Sequence, residues 1–171
     1  VEMRMERIRD NADAVPENMR RFDETPSAKM VLVHTLAHLL IRQLAFESGY
    51  DASSIQERLY ISDEPDAMAG LLLYTASGDA EGTLGGLVRH GRADYLAPTV
   101  QAALRNAEIC SSDPLCIESS GQGLSSLNLA ACHACALLPE TSCEKGNMLL
   151  DRGLALGTPE EPHLAFFDMG F

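Results

Sequence analysis

Five cysteines lie between positions 110 and 143, in the order Cys110-x5-Cys116-x15-Cys132-x2-Cys135-x7-Cys143. Two cysteines separated by two residues can present both sulfurs to one ion from a single turn. Two more from flanking loops complete a tetrahedron with bonds of roughly 2.3 Å. Four thiolates make a closed, structural site, whereas a catalytic zinc keeps three protein ligands and a water. The spacing therefore predicts one structural Zn2+ held by Cys116, Cys132, Cys135 and Cys143. An odd number of cysteines confined to one fifth of the chain is a poor disulfide framework. Five reduced thiols used as small core residues remain the competing reading, but it must explain their clustering.

Other chemistries fit parts of the same set. Cys132-His-Ala-Cys135 could be a redox dithiol, but that motif needs a strand directly before it, and residues 125–131 read as the start of a helix over about 126–138. Cys116-Ile-Glu118 followed by Cys-x2-Cys has the outline of a zinc deaminase, in which the glutamate is the acid/base group. There the gap from Glu118 to Cys132 is short, and Ala131 stands where that pattern has proline. His34 and His38, four apart on one helical face, could share a metal, although the usual neighbouring glutamate is absent. Core histidines bonded to acids or backbone are the simpler reading, with Glu57 and Arg58 as available partners. The loop 77–86 holds Asp79 and Glu81 and no lysine, so it would repel phosphate. Set against the histidines, it would form a small polar pocket of His34, His38, Asp79 and Glu81, the one place for a metal-dependent activity.

These groups must be positioned by a chain of 171 residues, 46% apolar, with 5% aromatics and no tryptophan. That composition suits one core built from Leu, Ala, Val, Ile and Met, and a helix-rich α+β fold in which helices pack a small sheet. Residues 1–24 alternate in charge and read as a linker or solvated N-terminal helix that ends at Pro16, ahead of a single domain over 25–171. Thr25-Pro26 predicts the start of the longest helix and Gly49 its end, with an apolar stripe of Val33, Leu36, Ala37, Leu40, Ile41 and Leu44. Segments 55–62 and 68–76 read as strands joined by a turn at 63–66, and the run Leu71 to Leu73 as one buried on both faces. Helices are expected near 84–90, over 94–110 and over about 147–156.

The formal net charge of −12, and thiolates around a dication would make it more negative still, disfavours direct binding to a phosphate backbone. A protein partner suits that charge better. No basic segment leads into an apolar export signal, so a reducing, cytoplasmic setting is expected. The most apolar run, 30–41, is shorter than the roughly 20 residues a spanning helix needs, so no membrane role is expected.

The order His34-Thr-Leu-Ala-His38-Leu-Leu, Leu73-Tyr-Thr-Ala-Ser, Gly82-Thr-Leu-Gly-Gly-Leu, Ala131-Cys-His-Ala-Cys135 and Ser142-Cys-Glu-Lys-Gly-Asn-Met-Leu-Leu-Asp-Arg152 resembles the MrfA-like zinc-binding domain over roughly 30–155. That module sits at the C-terminus of MrfA-type helicases and in the DrmB protein of the DISARM anti-phage system. The DrmB branch is nearest, because Cys110-Ser-Ser-Asp-Pro-Leu-Cys116 resembles its first half-site. The resemblance implies a non-catalytic zinc module, placed beside a superfamily 2 helicase or a neighbouring domain in DNA repair or phage defence. DNA would be met only within that complex. It also implies four cysteine ligands: Cys132, Cys135, Cys143, and Cys116 with Cys110 as the alternative. The chain departs from the commoner pattern in a longer loop before Cys132 that lacks Gly-Cys-Pro. Neither a Gly-x4-Gly-Lys-Ser/Thr loop nor an acidic box after a strand is present, so this chain carries no ATPase chemistry of its own.

Overall fold

The computed structural model describes residues 1–22, 25–62, 67–75 and 86–167. Its central element is a helix, α2 (Ala28–Ser48), which starts two residues later than the Thr25-Pro26 signal predicts. Ser27 is the cap: its Oγ accepts the Met30 N–H at 3.2 Å. Gly49 ends the helix with φ of 71°, a left-handed conformation that costs glycine little. At 21 residues α2 is long and apolar enough to cross a bilayer by length and composition alone. It is instead the core helix, with Ala37, Leu40, Ile41 and Leu44 buried and His34 and His38 sealed beneath it.

The first helix, α1 (Glu2–Asp13), is not a solvated segment. Met5, Ile8 and Ala12 form a narrow stripe that packs with Val31, Leu127 and Leu149. Arg4 reaches across to Asp151 through two 2.7 Å bonds. The charges at Glu2, Arg7, Arg9 and Asp10 obscure this stripe in the sequence.

Strands β1 (Ile55–Ser62) and β2 (Met68–Thr75) form an antiparallel pair, Ile55 opposite Thr75 and Ser62 opposite Met68. Period-two alternation turns Ile55, Glu57 and Leu59 inward toward α2. The expectation of a second strand buried on both faces fails: Leu72 is 49% exposed, because among the described residues the two strands have no layer over their outer face. The turn predicted at 63–66 lies outside the described residues. So do residues 77–85 of the loop predicted at 77–86, with Asp79 and Glu81. Helices α3 (Gly86–His90) and α4 (Ala93–Ala107) follow, the latter laying Ala103, Leu104 and Ala107 against Leu40 and Leu44 of α2.

The helix expected over 126–138 does not form. A short 3-10 turn, Leu124–Ser126, is followed by irregular chain in which Leu127, Leu129, Ala130 and Ala131 are all fully buried. No single helical face could bury so continuous a run; tertiary packing from several sides does. Side-chain amides replace the missing ladder. Asn128 accepts from Leu150 N–H at 3.0 Å and donates to Asn147 O at 2.7 Å, while Asn147 bonds both N–H and C=O of Leu138. The helix expected over 147–156 shrinks to α5 (Arg152–Leu156), capped by Asp151. The fold is thus helix-rich with one small antiparallel sheet and a cysteine cluster in its C-terminal part.

Candidate metal centre

The first pair of thiols comes from the turn that follows α4. Asp113 shapes it: its carboxylate accepts the Cys110 N–H at 2.8 Å and the Ile117 N–H at 3.0 Å. The same carboxylate takes two bonds from Arg152, at 2.8 and 3.0 Å. Arg152 is only 1% exposed, and its other arm donates to the carbonyls of Ala107 and Glu108 at 2.7 and 3.0 Å. One buried guanidinium thereby ties the end of α4, the cysteine turn and α5 together. The paired fork geometry is specific to arginine.

The second pair comes from a tight turn at 132–135. Cys132 O accepts N–H groups from Cys135 at 3.2 Å and Ala136 at 2.9 Å, and Cys132 N–H donates to Cys135 Sγ at 3.3 Å. Arg42 of α2 holds the turn from outside through the Ala134 carbonyl at 2.7 Å.

The two turns bring Cys110, Cys116, Cys132 and Cys135 together, with all four sulfurs within 4.8 Å of one another. Sγ separations are 3.6 Å for Cys110 to Cys132, 3.7 Å for Cys116 to Cys135 and 3.9 Å for Cys132 to Cys135. These are far too long for a disulfide, whose sulfurs lie roughly 2.05 Å apart. They match the edge of a tetrahedron of sulfurs around zinc, roughly 3.8 Å for bonds of roughly 2.3 Å. Electrostatics favour a cation as well. Burial pushes the Cys132 thiol up, but the Ala134 N–H and the Cys110 and Cys116 thiols outweigh it and bring it down to about 6. Burial pushes Cys135 well up, reinforced by negative charge on Cys116 and Cys132, and burial also raises Cys116. The protein alone cannot keep four thiolates ionised here; a dication removes that obstacle.

Three of the four residues chosen from spacing, Cys116, Cys132 and Cys135, meet in this cluster. Cys143 does not, and Cys110 stands in its place. After Cys135 the chain runs through the 3-10 turn Glu140–Ser142, where Ser142 Oγ bonds Ala52 O at 2.7 Å and carries Cys143 to the β1 side of the core. The overlooked signal was the turn-forming Asp113 within Cys110-x5-Cys116, which makes that segment a ligand pair in itself.

His34 and His38 are both fully buried and lie on Cys143 and Glu57. Glu57 was one partner named from the sequence. Arg58, the other, points away to Glu144 at 3.4 Å. Burial lowers His34, but Cys143 and Glu57 beside it raise it to about 9. Cys143, raised by burial, is brought down to about 7 by the two histidines, and Glu57 is likewise drawn well below the usual carboxylate range. The redox-dithiol reading finds no support, since among the described residues no strand stands directly before Cys132. With Cys110 closing the sulfur set, Glu118, which is exposed, has no open metal position to serve as a deaminase would require.

Comparison with known proteins independently points to a zinc-binding domain. The family model described as the MrfA Zn-binding domain matches residues 36–136, a span that includes all four clustered cysteines and excludes Cys143. The chain is also 48% identical over 137 residues to the DISARM protein DrmB of Bacillus paralicheniformis (strain ATCC 9945a / NCIMB 11709 / CD-2), an alignment that covers 80% of this chain and 24% of that protein. The chain therefore spans about a quarter of the relative's length.

Proposed function

Since the chain belongs to the MrfA Zn-binding domain family, we propose that it is the non-catalytic zinc module of a DISARM-type defence protein. In this reading it docks onto a superfamily 2 helicase or a neighbouring domain and helps present DNA to it, in the cytoplasm. The observation that carries a structural role is the closed set of four sulfurs at tetrahedral spacing, which leaves no position for a water or substrate. Docking is supported by what flanks the cluster. Phe46 is 85% and Ile109 80% exposed, and both line one cleft with Cys110 and Ala134. Large apolar side chains displayed around a rigid loop are suited to burial in a partner. With a net charge of −12 the module would contact DNA only beside a basic partner surface. Action in DNA repair is the other setting that the resemblance implies. A metal-dependent enzyme at His34 and His38 is not adopted, because the side chains of His34, His38 and Glu57 are all 0% exposed and no substrate could reach them.

The test is binding of the full-length protein to its helicase partner. Phe46→Asp and Ile109→Asp should each weaken the complex at least tenfold while zinc content and melting temperature stay at wild-type values. Unchanged affinity in both variants would refute docking through this face.

A further inference from the structure

We propose that His34 Nε2, His38 Nε2, Glu57 Oε1 and Cys143 Sγ form a second, independent binding site for a divalent transition ion, with zinc the best match.

Each histidine already commits its other nitrogen: Nδ1 of His34 faces Leu149 O at 3.3 Å and Nδ1 of His38 faces Ala136 O at 2.9 Å. A carbonyl accepts only, so both Nδ1 atoms carry a proton, and an entering cation that displaces the proton from Nε2 meets that nitrogen's lone pair, the arrangement that metal-bound histidines adopt. Those lone pairs converge. Nε2 of His34 lies 3.2 Å from Cys143 Sγ and 3.1 Å from Glu57 Oε1, and Nε2 of His38 lies 3.6 Å from the same oxygen. The four donor atoms all sit within 4.8 Å of one another. Tetrahedral zinc with mixed N, O and S ligands has edges of roughly 3.3 to 3.6 Å.

A network held by protons alone leaves a debt that a metal removes. Despite the short ion-pair separations, neither Glu57 oxygen and not His38 Nε2 has a hydrogen-bond partner. The Glu57 side chain is completely buried, and a buried carboxylate without hydrogen bonds is costly. A glutamate and a thiolate bring two negative charges, which a dication cancels. The thiolate and imidazoles exclude magnesium and calcium in favour of zinc or a similar ion. With four protein ligands and no access from solvent, the site is structural. It would clamp α2 to β1 and to the chain around Cys143, and the Ala136 carbonyl that orients His38 directly follows Cys135 of the first cluster.

The test compares zinc content of the full-length protein, so that metal bound elsewhere in it cancels. Glu57→Gln and His38→Gln should each lose one zinc equivalent relative to wild type while keeping the intense thiolate charge-transfer absorption of a cobalt-loaded four-cysteine site. Wild-type zinc content in both variants overturns the proposal. Should those variants misfold, the wild-type protein decides by cobalt titration after chelation. A further cobalt equivalent, bound with the weaker charge transfer of a single thiolate and lost in Cys143→Ala, supports the site. Saturation with only the thiolate-rich signal, unchanged in Cys143→Ala, sinks it.

Discussion

Among the described residues two clusters of metal-ligating side chains lie in the core, and they are built in opposite ways. Cys110, Cys116, Cys132 and Cys135 come from two turns within 26 residues of sequence, with Cys132 left half-buried at the surface. His34, His38, Glu57 and Cys143 are gathered from α2, β1 and a distant loop, and all four are buried. The first organises chain that has almost no regular structure of its own. The second joins elements that are already regular. A metal ion matters most to folding where backbone pairing is scarcest, so the two clusters should differ in what their loss does.

The largest effect is expected from Cys135→Ser or Cys110→Ser. Structural zinc contributes roughly 10 kcal/mol or more in small zinc-dependent folds, comparable to the whole stability of a domain, roughly 5 to 15 kcal/mol. Either variant should lose the cooperative thermal transition of this domain and the thiolate-rich cobalt signal, whereas Cys143→Ser should keep that signal. Loss of the signal in Cys143→Ser with retention in Cys110→Ser would reverse the assignment of the fourth ligand.

Next comes Arg152→Met, which strips the buried guanidinium from Asp113 and from the end of α4. Breaking a fully buried ion pair costs about 3 to 5 kcal/mol; with Asp113 only half-buried the loss should lie at or below the lower end of that range, and chemical denaturation should show it together with weaker zinc retention. A loss below about 1 kcal/mol would mean that the cysteine turn is held by something else. Asn147→Ala, which deprives Leu138 of both side-chain bonds, should cost about 1 to 3 kcal/mol by the same measurement. Ser27→Ala, at the far end of α2, should cost about 1 kcal/mol through its lost cap and leave both metal populations untouched. A change in metal content there would show that the clusters are not local features.

The contrast also explains what the sequence made legible. Cys-x2-Cys is a local constraint, so the Cys132 and Cys135 pair was readable from spacing alone. The sequence took Cys143 as a ligand and offered Cys110 only in place of Cys116; that Cys143 lies elsewhere depends on where the chain travels after Cys135, and that path is set by packing against Ala52 and β1. Strong local signals placed the hairpin at 55–62 and 68–76, against strands observed at 55–62 and 68–75, and Gly49 marked the end of α2 correctly. The helix expected over 126–138 failed because its apolar residues are buried by surrounding chain rather than along one face. In α1, the stripe of Met5, Ile8 and Ala12 was outweighed by its charged neighbours, and nothing local to Arg4 announces an ion pair with a residue 147 positions away. Glu57 was visible only as one possible partner of the histidines. That it stands beside three other ligand atoms with neither oxygen hydrogen-bonded is a property of the folded chain.

The central claim, that zinc sits among the sulfurs of Cys110, Cys116, Cys132 and Cys135, is tested most directly by anomalous diffraction at the zinc absorption edge. A strong peak is expected roughly 2.3 Å from each of those four atoms. A peak bonded to Cys143 in place of Cys110, or no peak among the four sulfurs, would contradict it.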